Sequence, residues 1–166
     1  MLAFLIVLGV VVLDQVSKFF TRLNLDIGER VPLIPNVVGL TRSENTGASF
    51  GILKDARWVF MVTSVVAIAA LVGLLIYHYR QPVSERRNTL FVVSVAFILG
   101  GGIGNMIDRI VHHYVIDFLY FSLIDFPVFN IADIYVVCGG IVLVFLVVFK
   151  YKDEDFEFLS LKIKDK

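Results

Sequence analysis

Hydrophobic positions along the chain fall into four long runs separated by shorter mixed segments. The runs cover residues 2–20, 58–77, 90–106 and 131–149. Each approaches the roughly 20 helical residues that cross about 30 Å of hydrocarbon. The third is rich in β-branched residues and would be ambiguous in water. In lipid, where backbone groups must be paired internally, a helix is the simplest solution. The first run lacks a basic amino-terminal region and ends in Asp14-Gln15 rather than a small-residue cleavage site. It therefore reads as a retained span rather than a removable signal peptide.

The segments between the spans carry their own pattern. Residues 27–53 contain Val31-Pro32-Leu33-Ile34-Pro35 and Val37-Val38-Gly39-Leu40-Thr41, β-prone stretches set between Pro, Gly and Asn breakers. They predict a small sheet resting on the membrane. The link from Asp108 to Asn130 is half apolar, with Tyr114, Phe118, Tyr120, Phe121 and Phe126. It is expected at the bilayer interface, where aromatic rings are favoured. The tail after Lys150 mixes Lys with Asp and Glu and reads as a solvated end.

Composition agrees with the runs. The 166 residues are 58% hydrophobic and 18% charged, against about 45–50% and about 25% in an average soluble domain. A chain of this length cannot bury that excess in one core, so its surface must be apolar, with lipid as the solvent. One domain spanning 1–166 is expected. Fifteen basic residues balance fifteen acidic ones, which gives no reason to expect nucleic-acid binding. The single cysteine, Cys138, sits in an apolar run and reads as packing; no metal or cofactor is expected. Arg80, Arg86 and Arg87 occupy the link between spans two and three, and Lys150, Lys152, Lys162, Lys164 and Lys166 the tail. The link between spans three and four has only Arg109. Basic density therefore puts both termini in the cytoplasm, against the mild conflict of scattered basic residues in the first loop.

Polar residues inside the spans carry the chemistry. Asp14 lies roughly 18 Å along the first helix, still within hydrocarbon, and Lys18 follows four residues later on the same face. The pair could merely neutralise itself, yet ionisable residues at such depth usually face the bundle interior. The third span ends Gly100-Gly101-Gly102-Ile103-Gly104-Asn105-Met106-Ile107-Asp108-Arg109. Its glycines permit close helix approach, Asn105 and Arg109 share a face, and Asp108 could pair with a neighbour. Asp117 lies in Val115-Ile116-Asp117-Phe118, and the fourth span opens Phe129-Asn130-Ile131-Ala132-Asp133. Asp117 and Asp133 thus both fall near the outer membrane boundary in apolar settings. Two such carboxylates share a proton more easily than both ionise, which supplies a base and an acid together. Ser17, Ser43 and Ser49 lack a His-Asp setting. His78 is on the basic side, and adjacent His112 and His113 point apart, a poor metal pair.

These motifs, in this order, resemble lipoprotein signal peptidase, the signal peptidase II family: Asp14-Gln15-Val16-Ser17-Lys18, Asn45-Thr46-Gly47-Ala48-Ser49-Phe50, the Gly101 to Arg109 segment, Val115 to Phe118, and Phe129 to Asp133. The resemblance implies an all-α membrane protein of four transmembrane helices with a small extracytoplasmic β-cradle at about 27–53 and a short interfacial helix. It implies a catalytic dyad of Asp117 and Asp133, with Asp14, Lys18, Asn45, Gly47, Asn105, Arg109 and Asn130 lining or supporting the site. It further implies an aspartic-type endopeptidase of the bacterial inner membrane that works at the extracytoplasmic face. The substrate would be a prolipoprotein whose cysteine already carries diacylglycerol, cut just before that cysteine and held beside membrane lipid. Globomycin-type peptides would inhibit, and a monomer is expected. The rival readings are a small transporter or channel subunit, and a structural membrane partner. The first would spread ionisable residues through the membrane depth; the second would not need two carboxylates in apolar settings.

Overall fold

The computed structural model describes residues 1–47, 57–81 and 89–151. Ala48-Ser49-Phe50, Arg86, Arg87 and the tail lysines from Lys152 onward lie outside the described residues. There are four long helices, α1 (Leu2–Asn24), α2 (Arg57–Arg80), α3 (Thr89–Val111) and α4 (Ile131–Phe149); strands β1 (Arg30–Ile34) and β2 (Val38–Asn45) lie between α1 and α2, and β3 (Val115–Phe121) between α3 and α4. All four helices are long and apolar enough to cross a membrane. The third continues five residues past the apolar run, because Asp108 and its polar neighbours find partners inside the protein and the helix need not stop where hydropathy falls.

Helix α1 is inside-out relative to a helix of a water-soluble bundle, while α3 buries the apolar cluster of Phe91, Val92, Val95, Ala96 and Leu99. On α1 the buried residues are Ala3, Val10, Asp14, Lys18 and Thr21, a stripe at helical spacing. Asp14 is 0% and Lys18 1% exposed, whereas Phe4, Phe19 and Leu23 are more than half exposed. Charge faces inward and apolar surface faces outward, the arrangement that lipid selects. Helix α3 is the centre, packing against the other three. Against it α4 buries Ala132, Gly139 and Leu146, seven residues apart. A side chain on Gly101 would meet the Ala132 carbonyl oxygen at 2.5 Å, so this crossing needs glycine there.

The strands form one antiparallel sheet in the order β1-β2-β3. Asn36 turns the β1–β2 hairpin in the left-handed region, φ 61°, which Asn tolerates. Pro32 sits on the edge strand, where a missing N–H costs least. The third strand comes from the aromatic link that the sequence pattern assigns to an interface, so the cradle draws on residues well outside 27–53. The only short helical piece among the described residues is a 3-10 turn, Ser122–Ile124, with Leu123 and Ile124 exposed. Cys138 is exposed rather than packed, because its position on α4 faces away from α3.

Candidate active site

The two carboxylates predicted to act together line one cavity at the sheet end of the bundle, and a one-residue bulge in β2 brings Asn45 to the first of them. Leu40 pairs with Leu119, but Ser43 pairs with Asp117 and Asn45 with Val115; β2 has one residue more than β3 between these pairs. A slip of one residue turns every later side chain to the opposite face. The bulge therefore places Asn45 on the same face as Asp117, and Asn45 Nδ2 donates to Asp117 Oδ2 at 2.9 Å. On the far side of β3, Leu119 and Phe129 exchange backbone hydrogen bonds of 2.8 and 3.0 Å. That pairing delivers the start of α4 to the same place. Asn130 caps α4 in a capping box: its Oδ1 accepts from the Asp133 N–H at 3.0 Å, and Asp133 Oδ2 accepts from the Asn130 N–H at 3.1 Å.

Three asparagine amides connect the carboxylates, and donors that cannot reverse fix their orientation. The Gly47 N–H holds Asn45 Oδ1 at 3.0 Å, so Asn45 Nδ2 must face Asp117. The Asp133 N–H holds Asn130 Oδ1, so Asn130 Nδ2 faces Asp117 Oδ1 at 2.7 Å and Asn105 Oδ1 at 3.1 Å. The Lys18 ammonium also holds Asn105 Oδ1, at 2.9 Å, so Asn105 Nδ2 faces Asp133 Oδ1 at 2.8 Å. Every amide NH₂ thus points toward a carboxylate. Asp117, on β3, is 3% exposed. Burial pushes its carboxyl up to about 7; Asp133 nearby adds to the rise, while the amide donors oppose it.

Both carboxylates line a cavity of about 540 Å³ together with Asn45, Gly47, Asn105 and Arg109. The remaining wall is apolar, from Phe60 on α2, the stretch Phe126 to Phe129, and Ile134, Val137 and Cys138 on α4. Arg109 lies 5.2 Å over the Phe60 ring and donates to the Asn105 carbonyl at 3.3 Å. Its charge acts on both Asp133 and Asp117. A polar corner with paired carboxylates and a fixed guanidinium, opening onto an apolar trough, can bind a peptide carbonyl and an aliphatic group side by side. No cluster of metal-ligand residues occurs among the described residues.

A family model described as signal peptidase (SPase) II matches residues 6–149. The chain belongs to the signal peptidase II family. A lipoprotein signal peptidase from Brevibacillus brevis is 40% identical over 142 residues, covering 84% of this chain and 91% of that one. Another from Streptococcus pyogenes serotype M5 is 39% identical over 146 residues, covering 88% and 90%. Two solved chains described as bacterial membrane enzyme structures, at 2.3 and 1.9 Å, superimpose with TM-scores of 0.78 each. They are 28% and 30% identical, over 99% and 90% of this chain and 93% and 94% of theirs.

In this signal peptidase II, the predicted site residues divide into two layers. Asp117, Asp133, Asn45, Gly47, Asn105 and Arg109 line the cavity. Asp14, Lys18 and Asn130 are buried behind it, at 0%, 1% and 0% exposed. Lys18 Nζ lies 2.8 Å from Asp14 and 2.9 Å from Asp108. Asp14 Oδ1 accepts from the Ala132 N–H at 3.1 Å, so a carboxylate of α1 caps α4. Asp108 Oδ2 accepts from the Ile116 N–H at 3.1 Å and ties β3 to α3. Asp108 pairs with a neighbour as its sequence setting suggests, and two features go further. Asp108 joins three elements, and Gln15 Nε2 bridges Asp14, the Gly104 carbonyl and Asp108 at 3.0 to 3.2 Å. The signal for Gln15 was present: a second polar residue beside Asp14 within hydrocarbon. The apolar wall of Phe60 and Phe126 left no such signal, since apolar residues are everywhere in this chain.

Asp14→Ala removes one of the two carboxylate partners of a buried ammonium and the acceptor of the Ala132 N–H together. It is expected to destabilise the detergent-solubilised protein by about 1–3 kcal/mol, the cost of leaving buried donors unsatisfied. Asp14→Asn keeps an acceptor for the Ala132 N–H while turning its NH₂ toward Lys18, and should recover part of that loss. Thermal melting of the two variants checks this; equal losses would contradict the capping role.

Proposed function

We propose that this signal peptidase II is a membrane aspartic endopeptidase. It removes the signal peptide from diacylglyceryl-modified prolipoproteins, cutting just before the lipidated cysteine. The observation that carries the reading is the convergence of Asp117 and Asp133 on one cavity, with Asp117 held near neutral titration and linked to Asp133 through Asn130 and Asn105. The relatives' name supplies the substrate class. The apolar trough beside the polar corner suits a peptide anchored by acyl chains, whose depth in the bilayer orients the scissile bond. Both carboxylates come from one chain, so a monomer suffices. Globomycin-type peptides would compete for the same cavity.

The chemistry follows from the asymmetry of the pair. Asp117, the buried strand carboxyl, holds the shared proton. Asp133 takes the part of the base, facing two donors at the amino end of α4. Asp133 takes a proton from water as the oxygen attacks the scissile carbonyl carbon. Asp117 gives its proton to the carbonyl oxygen, forming a neutral gem-diol. Asp133 then passes its proton to the amide nitrogen as the C–N bond breaks, and one hydroxyl proton returns to Asp117. Arg109 orients the peptide carbonyl by forked hydrogen bonds.

Purified protein incubated with a diacylglyceryl prolipoprotein tests this. Asp117→Asn and Asp133→Asn are each expected to abolish cleavage, and the unlipidated precursor is expected to be cut far more slowly. Cleavage surviving both substitutions would remove the dyad; equal cleavage of both precursors would remove the lipid requirement.

A raised Asp117 carboxyl that must be protonated makes activity fall as pH rises. Above about 7, kcat/KM is expected to drop about tenfold per pH unit. A flat profile from pH 6 to 9 would assign the proton elsewhere.

The basic density of the sequence orients the sheet and dyad to the extracytoplasmic side of a bacterial inner membrane, with both termini cytoplasmic. In a Cys138→Ala background, a cysteine at Leu33 should react with an impermeant thiol reagent added to intact cells. One at Gln81 should react only after permeabilisation, and the reverse pattern would invert the topology.

A further inference from the structure

Lys18 does not line the cavity and touches neither carboxylate of the dyad. Charge balance within the bundle explains its bonds to Asp14 and Asp108. Its third bond, to Asn105 Oδ1 at 2.9 Å, goes beyond that need. We propose that Lys18 is a positioning residue for catalysis, which acts by fixing the polarity of the Asn105 amide so that its NH₂ stays on Asp133.

The argument is one of donors and acceptors. An ammonium has three N–H donors and no acceptor. Lys18 spends them on Asp14 Oδ2, Asp108 Oδ2 and Asn105 Oδ1, at 2.8, 2.9 and 2.9 Å. With Asn105 Oδ1 held, Nδ2 can only point to Asp133 Oδ1, 2.8 Å away. A flipped amide would set NH₂ against the ammonium and against Asn130 Nδ2, and would present oxygen to the Asp133 carboxylate. All three contacts would be unfavourable.

The other two amides owe their direction to backbone N–H groups of Gly47 and Asp133, which no side-chain substitution removes. Asn105 alone depends on a side chain for a charged lock. Asn130 Nδ2 also donates to Asn105 Oδ1, but that amide is shared with Asp117 at a shorter distance, 2.7 against 3.1 Å. Without Lys18 the Asn105 amide loses the stronger of its two constraints, and Asp133 loses a fixed amide donor.

This inference rests on the dyad reading, and a double-mutant cycle separates the two. The variants are Lys18→Met, Asn105→Ala and their combination, each assayed for kcat and KM on the diacylglyceryl prolipoprotein. Lys18→Met is expected to lower kcat about 10- to 100-fold, the worth of a hydrogen bond to a charged group, with KM changed less than about threefold. In the Asn105→Ala background Lys18→Met should lower kcat less than about twofold further, because the amide through which it acts is gone. Losses that multiply would overturn the proposal and leave Lys18 a purely structural ion. Should Lys18→Met fail to accumulate, the same cycle is run with Asp14→Asn in all members, which removes the uncompensated carboxylate while keeping an acceptor for α4. Retention of cleavage by Asp133→Asn would instead defeat the dyad reading underneath, whatever the cycle gives.

Discussion

One ammonium shared by two carboxylates is the constraint on which the rest of the molecule depends. Lys18 sits between Asp14 and Asp108, all three at most 1% exposed. Burying charge is expensive, and a pair in a low-dielectric interior is worthwhile only when the remaining lone pairs are also used. Here they are. Asp14 accepts from the amino end of α4, Asp108 from the first residues of β3, and Gln15 bridges both. The surplus negative charge is met by backbone N–H groups and by the positive end of a helix. Four elements, α1, α3, α4 and β3, are thereby fixed to one another at a single point.

That point lies directly beneath the dyad, and this placement follows from the solvent. In lipid, apolar side chains gain little by packing inward, so helices associate through close contact of small residues and through polar bonds. The α3–α4 crossing uses the first device, with Gly101 against the Ala132 backbone. The Lys18 cluster uses the second. Both converge on the first turn of α4, where Ala132 lies two residues after Asn130 and directly before Asp133. The part of the bundle tied by both devices is therefore the part that carries Asp133 and faces the cavity.

Much of this was legible in the chain. Four runs of hydropathy predict the four helices, the last with the observed bounds. The i,i+4 spacing of Asp14 and Lys18 predicts their ion pair, and the β-prone stretches between breakers predict a small sheet in the first loop. What escaped did so for identifiable reasons. Residues 115–118 of β3 are buried on both faces, so the strand shows no alternation and reads as an apolar link. The end of α3 escaped because a polar residue with an internal partner is locally indistinguishable from one that ends a span. The bulge in β2, which decides whether Asn45 reaches Asp117 at all, has no signature in Leu40-Thr41-Arg42-Ser43. Cys138 lies in an apolar run, and only the packing of α4 reveals that it faces the cavity rather than a neighbouring helix.

Asp133 has two tasks that constrain each other. As the third residue of α4 it closes the capping box with Asn130, and as a cavity carboxylate it faces the Asn105 amide. Both bonds are strongest when Asp133 is charged. In the proposed cycle Asp133 takes a proton from water, so the intermediate weakens the helix cap and the amide bond together. Restoring them favours release of that proton, and the leaving amine is its acceptor in the next step. A cap made by a carboxylate thus opposes the first proton transfer slightly and assists the second. A base placed at a helix start is suited to a reaction in which it must give back the proton it takes.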